Sequence, residues 1–115
     1  TTEIYTLSLH DALPISIAEE MLGAILGHLK PKAGQEVLLL VNGFGGTPLM
    51  ELYLMHHAAT RVLDGKGVKV ARSLVGNWTT SLEMAGCSLT LLTLDAELTR
   101  LWDAPVETAA LRWGR

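Results

Sequence analysis

Cysteine is nearly absent: Cys87 stands alone among 115 residues. One thiol cannot close an internal disulfide, and it has too few partners nearby for a four-ligand zinc site. That usage fits a reducing compartment, and the cytoplasm is the expected location. Aromatic residues are scarce at 5%, so aliphatic side chains must build the core. An excess of one charge is missing too: 9 Lys and Arg are interspersed with 12 Asp and Glu, for a net charge of −3. Nothing in that balance attracts nucleic acid or an anionic membrane. No apolar run approaches the roughly 20 residues of a membrane span. No basic stretch followed by an apolar run marks a signal peptide. An initiator Met is lacking as well, since the sequence opens Thr1-Thr2-Glu3. The expectation is the C-terminal part of a longer chain, truncated on its N-terminal side.

Hydrophobic residues, at 49% against 18% charged, exclude general disorder. A chain of this size can bury about 60–70% of the surface its unfolded form exposes. Residues 1–16 keep neither a helical nor a strand period. The string SLHDALPIS resembles a peptide translated from sequencing-adapter DNA, and a seam is expected near Ser16. Residues 1–16 are thus read as a non-native or disordered leader, and 17–115 as the domain. In 17–29, Ile17, Met21, Ala24, Ile25 and Leu29 share a stripe, with Ser16 as cap and Glu19 in capping-box position.

Residues 36–42 form an unbroken aliphatic run, the pattern of a strand buried on both faces. Thr47 as cap and Pro48 at the first helical position predict a helix to about Asp64. Its expected face holds Leu49, Leu52, Tyr53, His56, Ala59 and Leu63, widened by Met50, Leu54 and His57. Residues 68–75 alternate, with one wetter side, and complete a βαβ unit. Thr80 and Glu83 match a capping box that opens a short helical turn. A third strand is expected over 87–94, then Asp95 capping a helix over 96–102. Trp102 and Trp113 are expected to pin the tail to the body. The fold class is α/β, a partial α/β sandwich with flanking helices.

The loop Asn42-Gly43-Phe44-Gly45-Gly46-Thr47 joins a strand to a helix N-terminus. Free amides and the helix dipole there suit a substrate or anion, with Gly43, Gly45, Gly46 and Thr47 as the candidate residues. It is neither a Walker A loop nor G-x-G-x-x-G, since no Lys follows and Pro48 stands where the third Gly belongs. The alternative is a tight turn needing positive φ or close packing. His56 and His57 point about 100° apart on a helix, so they cannot grip one metal as an i, i+4 pair could. His10 and His28 sit in other segments. Asp64, Glu83, Asp95 and Glu97 sit at helix ends, as caps and dipole partners. Cys87 reads as an inert core thiol. Ser73, Ser81 and Ser88 lie in no G-x-S-x-G context. No catalytic constellation and no metal site emerges.

LLLVNGFGGTPLMELY (38–53), VKVARSLVGNWTTSLEMAGCSLTLLTLD (68–95) and LWDAPVETAALRWG (101–114) together resemble the C-terminal part of the substrate-binding subunit of dihydroxyacetone (glycerone) kinase, a DhaK-type domain. Phe44 and Glu83 depart conservatively from the family's usual Leu and common Asp. The resemblance implies phosphoryl transfer to dihydroxyacetone in glycerol catabolism. It implies a substrate held covalently by a histidine in an upstream motif, which His10, His28, His56 and His57 do not match. No catalytic residue is therefore assigned, and the chain alone is expected to be inactive. The resemblance further implies a homodimer, with ADP or ATP and Mg carried on a partner subunit or domain; the ending after Trp113-Gly114 suggests the separate-subunit type, recharged by the phosphoenolpyruvate phosphotransferase system, while the sequence leaves the choice between ATP and that system open. The competing reading is a stand-alone α/β phosphate-binding or protein-interaction module. Exposed apolar surface is expected on the isolated chain.

Overall fold

An amphipathic helix needs one apolar partner, and an all-aliphatic strand needs one on each face. The computed structural model describes residues 2–7 and 13–114, with side chains from residue 13 onward. Its elements run β1 (Thr2–Leu7), α1 (Pro14–Leu29), β2 (Glu36–Gly43), α2 (Leu49–Gly65), β3 (Lys69–Gly76), β4 (Cys87–Thr93), α3 (Ala96–Asp103), β5 (Val106–Glu107) and β6 (Arg112–Trp113). Four strands form a mixed sheet in the order β1-β4-β2-β3, and β5-β6 is a separate pair. β2 and β3 are parallel, with Leu40 beside Leu74, so β2–α2–β3 is the expected βαβ unit. β4 returns antiparallel to β2 and sets Cys87 beside Gly43. The ends of β2 and β3 and the start of β4 therefore share one edge.

Strand alternation sorts the core. Val37, Leu39, Val41, Cys87, Leu89 and Leu91 cluster with Ile17, Met21, Leu22 and Ile25 of α1 and Leu52, Met55, Ala59 and Leu63 of α2. Each of these is at most 2% exposed. Burying a Leu or Met side chain in this way stabilises by roughly 1.5–3 kcal/mol.

Several expectations are corrected. α1 begins at Pro14, not Ile17, because a proline in the first turn is pre-organised for helix. Ser16 consequently lies inside the helix, and Leu13 holds the cap position without a side-chain bond. Residues 2–7 of the leader form a strand, with Thr2 opposite Leu92 and Leu7 opposite Cys87. A segment without periodicity pairs there because the edge of β4 offers backbone groups whatever the side-chain pattern. His10 falls outside the described residues.

The α2 cap is Pro48, extended at ψ 146°, with no side-chain bond. The buried arc of α2 is Leu52, Met55, Ala58, Ala59, Val62 and Leu63, because the helix rests on α1 as well as on the sheet. Leu49 and Tyr53, expected on the packed face, are 51% and 56% exposed. Residues 80–83 form no capping box and no helix, only a turn at 82–83. Asp95 caps α3 as expected, its Oδ1 accepting from the Leu98 amide at 2.8 Å. Trp102 and Trp113 meet at 5.1 Å between ring centroids and tie the tail to α3. The body is reached instead through Arg72, whose guanidinium donates twice to Asp103 at 2.7 Å.

Candidate functional site

The shared sheet edge carries two loops, 43–48 after β2 and 77–86 before β4. Asn42, at the end of β2, is 5% exposed. Its Oδ1 accepts from the amides of Trp78 and Thr79, each at 2.8 Å. Its Nδ2 donates to the Thr79 carbonyl at 2.8 Å. A buried side-chain amide is thus satisfied by one segment of the opposing loop.

The glycine loop continues the contact. The amide of Phe44 donates to Gly86 O at 3.2 Å, that of Gly45 to Ser81 O at 2.9 Å, and that of Gly46 to Met84 O at 2.8 Å. The Thr47 amide donates to Phe44 O at 2.8 Å. The Thr47 hydroxyl, buried, donates to Gly86 O at 2.7 Å and accepts from Gly86 N at 2.6 Å. With its amide oriented to satisfy both, Asn77 donates to Gly43 O at 3.0 Å and Phe44 O at 3.3 Å.

Close approach is the reason for glycine here. A Cβ on Gly45 would stand 2.9 Å from Leu82 Cα, and one on Gly46 2.8 Å from Met84 O. The positive-φ glycines of the described chain are Gly34, Gly67 and Gly114, none of them in this loop. Gly43, Gly45, Gly46 and Thr47 are therefore brought together, and the amides from Phe44 to Thr47 already face carbonyls. Asn42 went unnamed as a candidate; its signal was an amide side chain closing an otherwise aliphatic strand.

Charge sharpens the picture. The sequence has no Lys or Arg between Lys32 and Arg61, or between Arg72 and Arg100. The charged residues of this edge are Glu51 and Glu83, both exposed. Elsewhere, Cys87 is buried, and burial pushes its thiol up to about 11, which suppresses the thiolate. His56, two turns along α2, is held below its ordinary value of 6.5 by burial and then by His57. Its Nε2 is buried without a partner among the described residues. His57 lies on a groove between α1 and α2 with Ile15, Leu54 and Arg61. His28 is exposed in the last turn of α1. Among the described residues, no three His, Cys, Asp or Glu side chains gather as a metal would need, and no helix is long and apolar enough to cross a membrane.

A family profile described as the Dak1 domain matches residues 6–110, taking in both loops. The chain belongs to the Dak1 domain family. Over 84 residues this Dak1 chain is 46% identical to the dihydroxyacetone-binding subunit DhaK of the PEP-dependent dihydroxyacetone kinase of Escherichia coli K12. That match covers 73% of this chain and 24% of the relative. It is 48% identical over 88 residues to the triokinase/FMN cyclase of Rattus norvegicus, covering 76% of this chain and 15% of the relative. A solved structure described under regulation of the DHA operon of Lactococcus lactis superimposes with a TM-score of 0.78 at 31% identity. It covers 90% of this chain and 40% of that one. The Dak1 chain spans about a quarter or less of the length of these two curated relatives.

Proposed function

We propose that this chain is the scaffold portion of a dihydroxyacetone kinase, a phosphotransferase acting on the hydroxyl of dihydroxyacetone. The observation that carries the reading is the locked loop pair. The two segments most particular to the family, NGFGGTP and TSLEMAG, face each other across Thr47 and Gly86 in one set of hydrogen bonds. Their joint role is to fix the sheet edge, so Gly43, Gly45, Gly46 and Thr47 act on substrate indirectly. In this reading the substrate-holding histidine is supplied by sequence outside this chain. ATP or ADP with Mg belongs to a partner subunit charged by the phosphotransferase system. The working enzyme is a homodimer in the cytoplasm, a compartment that suits the single thiol Cys87.

A graft tests this. Residues 17–114 replace the matching stretch of the E. coli DhaK subunit, and phosphorylation of dihydroxyacetone is measured with that system's own partner proteins. Turnover within about tenfold of the parent, a barrier change of about 1.4 kcal/mol, is expected. A folded graft that binds dihydroxyacetone but never transfers phosphate would overturn the reading. The rival, a stand-alone phosphate module, predicts saturable binding of inorganic phosphate to residues 43–47. Engaged amides and the lack of nearby cations argue for none, and amide shifts on phosphate titration decide it.

A further inference from the structure

The exits of the two parallel strands are tied by two side-chain amides, each holding the loop of the other. Asn42, near the end of β2, stands in the ladder opposite Gly76, the last residue of β3. It is buried, and its three hydrogen bonds go to Trp78 and Thr79, just past β3. Asn77, the first residue past β3, returns the contact by donating to Gly43 O and Phe44 O, where β2 ends. Two glycines leave room for this exchange. A Cβ on Gly43 would stand 2.5 Å from the Asn77 side-chain amide, and one on Gly76 2.9 Å from Trp78 Nε1.

Burying an amide side chain at the end of an aliphatic strand carries a desolvation cost that Val or Leu would not. Asn42 offsets it through this pairing alone. The pairing fastens the carboxyl ends of neighbouring parallel strands, the side of an α/β sheet where ligands bind. Other parts of the chain reach the same edge. β1 ends at Leu7 opposite Cys87, which lies beside Gly43. α1 passes into β2 through residues 30–35 at the far end of the sheet, so its own N-terminus points back toward the loops. Sequence preceding α1 thus enters the domain at the edge that Asn42 and Asn77 fasten.

We propose that Asn42 and Asn77 are positioning residues for phosphoryl transfer, a reciprocal clamp that holds loops 43–48 and 77–86 in one geometry beside the reacting groups. The inference rests on the kinase reading, in which the histidine that holds the substrate comes from sequence outside this chain. The amide of Asn42 already faces backbone, so it acts through the loop it holds and not by touching substrate. Capture of dihydroxyacetone is the task of that histidine. Loosening the clamp therefore leaves capture intact and slows transfer, where a misplacement of about 1 Å can lower the rate about a hundredfold.

The graft of residues 17–114 into the E. coli DhaK subunit carries the test. Turnover of dihydroxyacetone is measured for Asn42→Ala, Asn77→Ala and the double variant. Each single change should lower kcat by about tenfold or more while KM stays within about threefold. The double variant should lose little more than the worse single, because the two amides form one clamp. Asn77 is exposed, so its variant keeps the test alive where Asn42→Ala unfolds, and urea midpoints separate lost folding from lost turnover. A parent graft without turnover overturns the kinase reading and this inference with it. An active parent graft whose folded variants keep their kcat, or lose only affinity, overturns this inference alone. So would a kcat that merely tracks the unfolded fraction, or losses that multiply in full in the double variant, since the two asparagines would then act independently.

Discussion

Thr47 illustrates how one buried hydroxyl can hold two loops. It donates to Gly86 O and accepts from Gly86 N, so an isosteric Thr47→Val change strands a buried donor and a buried acceptor at once. The expected loss is about 1–3 kcal/mol, with Thr47→Ser retaining most of it, read as the shift in urea midpoint at unchanged slope. A Val variant as stable as the parent would remove the hydroxyl from the account. Cys87 makes a second prediction at the same scale. Its folded value, about 11, lies above its ordinary 9.0 because burial disfavours the thiolate. The unfolded chain therefore releases this proton first. The stability it contributes is whole below pH 9 and is lost as pH rises toward 11. Urea midpoints across that window should fall more for the parent than for Cys87→Ala. Side chains of this kind were only half legible in sequence. Cys87 declared itself by sitting in an aliphatic strand. Asn42 did not, since its role depends on a loop 36 residues away, and spacing along a chain says nothing about which loops meet.

At the scale of elements, periodicity found β2, α2, β3, β4 and α3, because each is long enough for burial to print a pattern. It misplaced the buried arc of α2, where the second packing partner is another helix whose position no local pattern encodes. It missed β1, which is held by backbone pairing along β4. It also misread 80–83, where a capping-box spelling meets a backbone whose Ser81 and Met84 carbonyls accept from the glycine loop. An exposed ion pair joins the α3 arm to β3. Arg72 keeps Asp103 ionised below the ordinary carboxylate range, first by hydrogen bonding. That hold is present above the ordinary value of 3.8 and fades as pH falls. An Asp103→Asn change should alter the near-ultraviolet signal of Trp102 and Trp113 while leaving the melting of the body nearly unmoved, since exposed ion pairs contribute little. Unchanged spectra would show that another contact seats the arm.

Across the whole molecule, the layers are unequal. α1 and α2 cover one face of the sheet, and the core cluster lies wholly between them and that face. The alternating residues point the other way. Leu40 stands beside Leu74 and Thr90, and Leu38 beside Leu92. Of these, Leu40, Leu74, Thr90 and Leu92 are only half-buried. Parallel pairs such as β2 and β3 ordinarily occur with both faces covered, and here the described residues cover the second face only in part: Leu38 is 5% exposed and Arg72 beside it is bonded to Asp103 of α3, while Leu40, Leu74 and Leu92 stay half-buried. The isolated chain should therefore bind a hydrophobic dye such as ANS in its folded state and scatter light increasingly with concentration. Replacing Leu40, Leu74 and Leu92 with Thr keeps strand-forming residues at those sites while removing apolar surface. That triple variant should lower dye fluorescence several-fold and suppress the scatter at unchanged far-ultraviolet circular dichroism. Dye binding that survives the triple change but vanishes with Leu82→Asp would locate the exposed apolar surface at the loop edge alone. The second sheet face would then be better covered than its residue pattern indicates.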